Sequence, residues 1–328
     1  RLEGALLENY SAKNPFCPLT THFLHNLDYK NIPLKPKGEF EPRGTVITLL
    51  GHSGTGKTTM LEKVLAPFRQ VYIHQDYKGQ DISGLKQITY IKVECPASGS
   101  TKSLCKSILK EINRVSGILD DDDKAISTRS RDDIQDIVER RVRSNFIGII
   151  VIDEIQNLIN TREGPDKLLK FLLQLVNESG VVFVFSGNFD AEQIFTSELR
   201  QARRAESGGI VKISPLTKSQ WSSFLKIMWQ YQWTKTPTPL TEKIEAYFYQ
   251  LTGGFIDHSV RVFQQAQKLA MSTDNELISL EILKNAFEVE CEFSKCFIGK
   301  SEAEGLNVEV ISKSECEYSN KRFDDIMS

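Results

Sequence analysis

Residues 45–213 carry two alternating hydrophobic patterns. Short runs of apolar and β-branched residues occur at Val46–Leu50, Ile147–Ile152 and Val181–Phe185, which is typical of strands buried on both faces. Between them lie segments with apolar residues at helical spacing, such as Ile134, Ile137, Val138 and Val142. Strands that alternate with helices predict βαβ units. The pattern therefore predicts an α/β fold, a parallel sheet with helices on both faces.

Helical spacing alone continues after Ile213, with no further strand-like run. Thr217 and Gln220 form a capping-box pair ahead of a helix with Trp221 and Trp229 on one face. Further helices are predicted at about 241–251, 257–271 and 279–290. The predicted organisation is an N-terminal extension (1–44), an α/β domain (45–213), a small all-helical lid domain (214–290) and a C-terminal tail (291–328).

Composition narrows the class of protein. The chain has 328 residues, 40% hydrophobic and 26% charged, which is typical of a globular protein. No apolar run approaches the roughly 18–20 residues that span a bilayer, so we expect no membrane segment. The net charge of −2 gives no global reason to expect nucleic acid, so DNA contact would require a local patch.

The spacing of the cysteines gives little evidence for a disulfide or a metal site. None of the six cysteines forms a C-x-x-C pair, so we expect reduced thiols. Cys17, His22 and His25 lie close in sequence, but no second ligand pair stands near them at zinc spacing. This favours a loop with ordinary histidines over a metal site, which stays the alternative.

A phosphate-binding motif follows the first buried strand. Gly51-x-x-x-x-Gly56-Lys57-Thr58 has the P-loop spacing, with a strand before it and a helix after it. Glycines there let backbone N–H groups curl around phosphates, and the helix N-terminus faces the same anions. We expect Lys57 to reach the β- and γ-phosphates of ATP and the Thr58 hydroxyl to ligate Mg²⁺. The predicted nucleotide-binding residues of the loop are Gly51, His52, Ser53, Gly54, Thr55, Gly56, Lys57, Thr58 and Thr59.

An acidic pair ends the second buried strand. Ile149–Ile152 is followed directly by Asp153 and Glu154. We expect this strand to lie next to the P-loop strand, which places both carboxylates beside the phosphates. Asp153 would hold Mg²⁺ together with Thr58, and Glu154 would orient or deprotonate the attacking water.

Five further residues complete the candidate site. Asn188, at the end of the third strand, is placed to hydrogen-bond the γ-phosphate or the attacking water; a turn-forming asparagine is the alternative. Arg200, Arg203 and Arg204 carry the planar charge that suits phosphoryl transfer, and we expect them to serve a neighbouring subunit's site. Arg261, in the lid, is predicted to fold over the phosphates, with a surface arginine as the alternative.

Several sequence blocks resemble a known family. The P-loop, the acidic pair, the strand-end asparagine, the arginines and the helical lid together resemble AAA+ ATPases. The blocks IKVECPASGSTKSLC (91–105), VIDEIQNL (151–158) and FTSELRQARRAESGG (195–209) resemble the TnsC/TniB family of ATP-dependent target-selection regulators of Tn-seven-like transposons. The compact length also resembles the short members found in CRISPR-associated transposons.

This resemblance implies a set of partners. It implies ATP-dependent assembly of the protein with itself into rings or filaments on double-stranded DNA. It also implies contact with a transposase and a target-site selector protein in the bacterial cytoplasm. The hydroxyls and amines around one helix N-terminus could grip DNA phosphates without reading bases. The predicted DNA-contacting residues are Ser98, Ser100, Thr101, Lys102 and Lys106.

Two other functions are compatible with the sequence. The first is a replication-initiator or loader-like AAA+ ATPase that acts on a helicase or clamp. The second is a signalling scaffold that uses nucleotide as a conformational latch and does not act on DNA. Binding of duplex DNA with and without an ATP analogue separates the scaffold from the other two.

Overall fold

The computed structural model describes residues 1–11, 44–98, 100–117, 130–160, 165–196 and 203–294. These residues divide into two compact units. One unit takes its residues from Arg1–Gly51 and Lys57–Ile213, and the other from His52–Gly56 and the chain beyond Ser214. Among the described residues, no helix is both long and apolar enough to cross a bilayer.

In the first unit, the described residues form seven strands. The strands are β1 (Thr45–Gly51), β2 (Val71–Tyr77), β3 (Gln80–Ile88), β4 (Tyr90–Glu94), β5 (Ile149–Asp153), β6 (Val182–Gly187) and β7 (Ile210–Ile213). Six α-helices among the described residues accompany them: α1 (Leu2–Ser11), α2 (Lys57–Leu65), α3 (Thr101–Ser116), α4 (Arg131–Ser144), α5 (Pro165–Ser179) and α6 (Glu192–Thr196). Two short 3₁₀-helices lie at Ile155–Asn160 and Phe189–Ala191. The helices of the second unit are α7 (Lys218–Met228), α8 (Glu242–Thr252), α9 (Ile256–Met271) and α10 (Leu280–Glu290).

The main sheet has five parallel strands in the order β4-β5-β6-β1-β7. The predicted adjacency of β1 and β5 is therefore wrong, because β6 lies between them and pairs with both. Both β5 and β6 are buried along their whole length, so their hydrophobic pattern could not tell which one borders β1. A parallel strand returns through a helix and can be inserted anywhere in the sheet.

Alternate residues of the central strands face two separate apolar layers. Ile150 and Ile152 pack in one layer with residues of α3, α4 and α5, and Ile149 and Val151 pack in the other with residues of α1 and α2. Helices thus cover both faces of the sheet, as the sequence pattern predicted.

A separate two-stranded hairpin was not predicted in full. Residues 70–74 are strand-like in sequence and fall at β2, but its antiparallel partner β3 carries Asp81, Gly84 and Lys86 and has no continuous apolar run. The hairpin turns at Lys78 and Gly79, both at positive φ. Helix α1 was likewise not predicted. It packs where Gly148 leaves room, since a Cβ there would lie 2.5 Å from Leu6 Cδ1 and 2.6 Å from Tyr10 Oη.

The helical unit is held by an aromatic core. Trp221, Leu225 and Phe248 are fully buried, and the rings of Trp221 and Phe248 meet edge to face, 5.4 Å apart. The capping box of Thr217 and Gln220 forms as predicted at the start of α7. The helices start and end within about two residues of their predicted bounds.

Candidate active site

The P-loop connects the end of β1 to the start of α2. Gly54 and Gly56 have φ of +79° and +86°, values that L side chains rarely adopt, so these two positions require glycine. Gly51 instead closes β1 as a buried strand residue. Between the glycines, the Thr55 hydroxyl donates to the His52 carbonyl at 2.8 Å and tightens the turn. The loop therefore has the backbone conformation that the motif predicts, while Ser53, Thr58 and Thr59 are exposed.

Lys57 places a buried cation beside this loop. Its side-chain amine, Nζ, donates to the Gly51 carbonyl at 2.7 Å, and the residue is 9% exposed. Burial lowers the pKa of Lys57, and the charges of Glu154 and Asp153 partly oppose that shift. A bound phosphate anion would favour the charged form of the Lys57 amine and so oppose the effect of burial.

Thr58 and Asp153 are brought together across the sheet edge. The Thr58 hydroxyl donates to Asp153 Oδ2 at 3.0 Å, and the other oxygen, Oδ1, accepts the Glu154 N–H at 3.1 Å. Asp153 is 6% exposed. A hydroxyl and a carboxylate are hard oxygen donors of the kind that Mg²⁺ prefers, so this pair fits the predicted magnesium site. Among the described residues, no group of three or more His, Cys, Asp or Glu side chains could hold a metal ion by itself.

Glu154 has a strained backbone at the end of β5. Its φ is +55°, the left-handed region that costs a non-glycine residue about 1–2 kcal/mol. Strained residues of this kind concentrate at functional sites. Its carboxylate accepts a hydrogen bond from the side-chain amide of Gln156. Gln156 was not among the predicted residues, and its position two residues after the acidic pair gave no sequence signal of this contact.

Asn188 lies at the end of β6, as predicted. Its amide nitrogen Nδ2 donates to Asp190 Oδ2 at 2.7 Å, and its backbone N–H donates to Gln156 Oε1 at 3.1 Å. Its amide oxygen Oδ1 is buried and has no hydrogen-bond partner in the structure. A buried acceptor without a partner is costly, and it can bind a water or another donor.

The predicted arginines fall in different places. Arg203 and Arg204 line a cavity of about 530 Å³ with Val46, Val176 and Asn177. Arg200 lies outside the described residues. Service of these arginines in a neighbouring subunit's site stays a prediction.

Arg261 lies on α9 of the helical unit. Its Nε donates to Asp257 Oδ2 at 2.9 Å, and its Nη1 donates to the Glu290 carbonyl at 2.8 Å. The Asp257 N–H in turn donates to the carbonyl of Gly54 at 3.1 Å. Asp257, one helical turn before Arg261, thus contacts Gly54. A role of Arg261 toward nucleotide stays a prediction.

The predicted DNA-contacting set loses one member. Ser100 caps α3, and its hydroxyl oxygen accepts the Ser103 N–H at 3.2 Å. Thr101 is 2% exposed, so its hydroxyl cannot reach a DNA phosphate and that part of the prediction is wrong. Thr101 is the first residue of α3, and its burial could not be predicted from its polar side chain. Ser98 is exposed, and Lys102 and Lys106 are half-buried.

Comparison with known proteins agrees with this geometry. Residues 42–195 match a family model described as AAA domain. This match and the similarity of fold confirm the predicted fold class, an AAA+ P-loop fold with a parallel sheet flanked by helices. No curated protein sequence matches the chain.

Three solved structures share the fold at low identity. The Aeropyrum pernix ORC1 protein in complex with DNA is 19% identical with a TM-score of 0.51, over 76% of this chain and 60% of that one. The ADP form of Aeropyrum pernix ORC2 is 13% identical with a TM-score of 0.50, over 86% and 73%. Cdc6p from Pyrobaculum aerophilum is 14% identical with a TM-score of 0.50, over 86% and 80%. This chain thus spans less than two thirds of the ORC1 chain.

Proposed function

We propose that this protein is a Mg²⁺-dependent ATPase that regulates DNA transposition. ATP binding would drive its assembly on double-stranded DNA, where it links a target-site selector protein to the transposase in the bacterial cytoplasm. Hydrolysis would control disassembly. The observation that carries the ATPase part is the hydrogen bond of 3.0 Å between Thr58 and Asp153, because it joins the two predicted magnesium ligands beside the buried amine of Lys57.

The chain's own residues divide the chemistry among them. Lys57 neutralises phosphate charge, and Thr58 and Asp153 would hold Mg²⁺, which when bound supplies further charge stabilisation to the phosphates. Glu154 orients the attacking water and accepts its proton. Asn188 offers its unpartnered Oδ1 as a second acceptor for that water. Exposed arginines from a second copy, among them Arg203, would stabilise the transferring phosphoryl group.

The transposition part is supported by the sequence blocks that resemble TnsC/TniB proteins. A protein with a net charge of −2 binds duplex DNA weakly through one patch. Repetition of Ser98, Ser100, Lys102 and Lys106 around an oligomer would multiply these phosphate contacts. Such contacts position a protein on DNA without selecting a sequence. We therefore infer binding to duplex DNA of any sequence.

A replication-initiator-like function is the second candidate. It is supported by the similarity to ORC1, whose solved structure is a complex with DNA. The two candidates differ in stoichiometry: an assembling regulator adds subunits as the DNA becomes longer, whereas an initiator bound at a defined site keeps a fixed number.

A gel shift on duplexes of increasing length separates these candidates. The protein is mixed with random-sequence DNA, with and without a non-hydrolysable ATP analogue. We expect ATP-dependent complexes whose protein-to-DNA ratio rises with length, and no complex with Lys57→Ala. A fixed ratio on one preferred sequence would favour the initiator, and no binding in either nucleotide state at low salt would favour the signalling scaffold.

A further inference from the structure

We propose that Gln156 is a positioning residue that couples Asn188 to the carboxylate of Glu154. Its side-chain Nε2 donates to Glu154 Oε2, and its Oε1 accepts the backbone N–H of Asn188 at 3.1 Å. One primary amide thus joins the predicted general base, which directly follows β5, to the residue that follows β6. This inference rests on the proposed hydrolysis of ATP, and it concerns how that base is held.

A glutamine is suited to this bridge by its chemistry. The amide group presents a donor and an acceptor from a single carbon, whereas a carboxylate only accepts and an aliphatic side chain does neither. The donor faces a carboxylate, which makes that hydrogen bond charge-assisted and stronger than one between neutral groups. The acceptor faces the backbone N–H of Asn188, the residue that directly follows β6.

The packing around Gln156 leaves little room for another arrangement. A Cβ on Gly187 would lie 2.7 Å from Gln156 Oε1 and 2.8 Å from Ile155 Cγ2. The glycine at the end of β6 therefore leaves room for the Gln156 side chain between Glu154 and Asn188. The turn that carries Gln156 is tied to β4, because Asn157 Nδ2 donates to the Cys95 carbonyl at 2.8 Å. Gln156 is therefore held by its packing against Gly187 and by the hydrogen bond that its neighbour Asn157 makes.

The strained backbone of Glu154 requires restraints from its surroundings, and the hydrogen bond from Gln156 is one of them. A residue at φ +55° keeps that conformation only if its surroundings hold it. Gln156 supplies such a restraint at the carboxylate end, while Asp153 Oδ1 accepts the backbone N–H of Glu154. A shift of Asn188 on contact with γ-phosphate or water would then move Gln156 and, through it, the carboxylate.

Two substitutions test the two halves of the bridge. Gln156→Ala removes both hydrogen bonds. Gln156→Glu keeps an oxygen opposite the Asn188 N–H but removes the donor to Glu154. We expect both variants to lower kcat about 10- to 100-fold, because the base is no longer held in place, and to leave KM for ATP within about twofold. A merely structural role would lower thermal stability and nucleotide affinity as well.

Hydrogen exchange provides a readout that needs no nucleotide. Without nucleotide, the amide of Asn188 should exchange faster in Gln156→Ala than in the wild type, and at the wild-type rate in Gln156→Glu. In a Glu154→Gln background, Gln156→Ala should change kcat by less than about twofold, since both substitutions act on the same group.

Three results would overturn the proposal. The first is wild-type kcat in both variants, and the second is unchanged Asn188 exchange in Gln156→Ala. The third is a full additive loss in the Glu154→Gln background, which would contradict action through Glu154. If the wild-type protein itself releases no phosphate from ATP, the proposed function fails, and the exchange rates still decide whether the bridge exists.

Discussion

The carboxyl edge of the sheet and the core of the helical unit treat their polar groups in opposite ways. In the helical core, Trp221 Nε1 donates to Ser259 Oγ at 2.8 Å, and Trp229 Nε1 donates to the Thr238 carbonyl at 2.7 Å. At the sheet edge, Lys57 is a buried cation, Glu154 has φ of +55° and Asn188 Oδ1 has no partner. The first region satisfies its own indole donors, and the second leaves the acceptor of Asn188 for a ligand.

This difference separates the residues that stabilise the fold from those that serve binding or catalysis. A buried indole that finds a partner adds to the stability of a core. A strained or unpartnered group lowers the stability of the free protein and is retained where binding or catalysis needs it. Substitutions in the two regions should therefore have separable effects.

Glu154→Gln should have the largest effect, and it should fall on catalysis. Removing a general base lowers kcat by about 1000-fold, because the amide cannot accept the proton of the attacking water. ATP affinity should stay at the wild-type value. Phosphate release and titration with a fluorescent ATP analogue measure the two quantities. Glu192→Gln is the matched control, since that carboxylate is exposed and pairs with Lys212. Equal kcat in both variants would remove Glu154 from the mechanism.

Leu225→Ala should act on stability instead. The side chain is fully buried among the aromatic rings of the helical core, so its truncation should cost about 2–5 kcal/mol in the free energy of unfolding. Urea denaturation followed by tryptophan fluorescence measures this loss. Ile227→Ala, at a position 61% exposed on the same helix, should change stability by less than about 0.5 kcal/mol. Similar losses for the two variants would contradict the assigned core.

Tyr10 should make stability depend on pH in the alkaline range. Burial raises the pKa of Tyr10 to about 12, and its hydroxyl lies 3.0 Å from the Phe146 carbonyl. The folded state favours the neutral phenol, so its contribution is complete below the unfolded pKa of about 10 and is lost as pH rises toward 12. The loss should be on the order of 2 kcal/mol. Tyr10→Phe should be less stable by about 1 kcal/mol at pH 8 and show a smaller decline between pH 10 and 12. Parallel pH profiles of the two proteins would contradict this assignment.

Arg261→Ala should have the smallest effect on stability. Its ion pair with Asp257 is exposed, with side-chain exposures of 38% and 47%, so the loss should stay below about 1 kcal/mol. If Arg261 also reports on nucleotide, ATP affinity should fall while the melting temperature hardly changes. Asp257→Asn is the control for loss of the ion pair alone. A large loss of stability would show that Arg261 serves the helical core and not the nucleotide.

The sequence predicted those features that depend on neighbouring residues. Glycines at positive φ in the P-loop, the capping box at Thr217 and the fully apolar run of β6 each express a local rule. The position of Asp153 at a strand end follows from the length of the run before it, and the Thr58 contact then completes the predicted pair.

Features that depend on tertiary packing escaped prediction. The hydrophobic pattern does not predict that β6 lies between β1 and β5, because β5 and β6 are both buried along their whole length. Thr101 is polar in sequence and buried in the structure. Gln156 gains its proposed role only from the approach of Asn188, which follows β6 and is distant in sequence.

Phosphate release from ATP by the wild-type protein and by Lys57→Ala shows whether this edge of the sheet hydrolyses ATP. With ATP and Mg²⁺ present, the wild type should release phosphate, and the variant should stay at the background rate because the buried amine beside the loop is gone. Equal rates in the two proteins, or no release by the wild type, would contradict an ATP-hydrolysing site at this edge of the sheet.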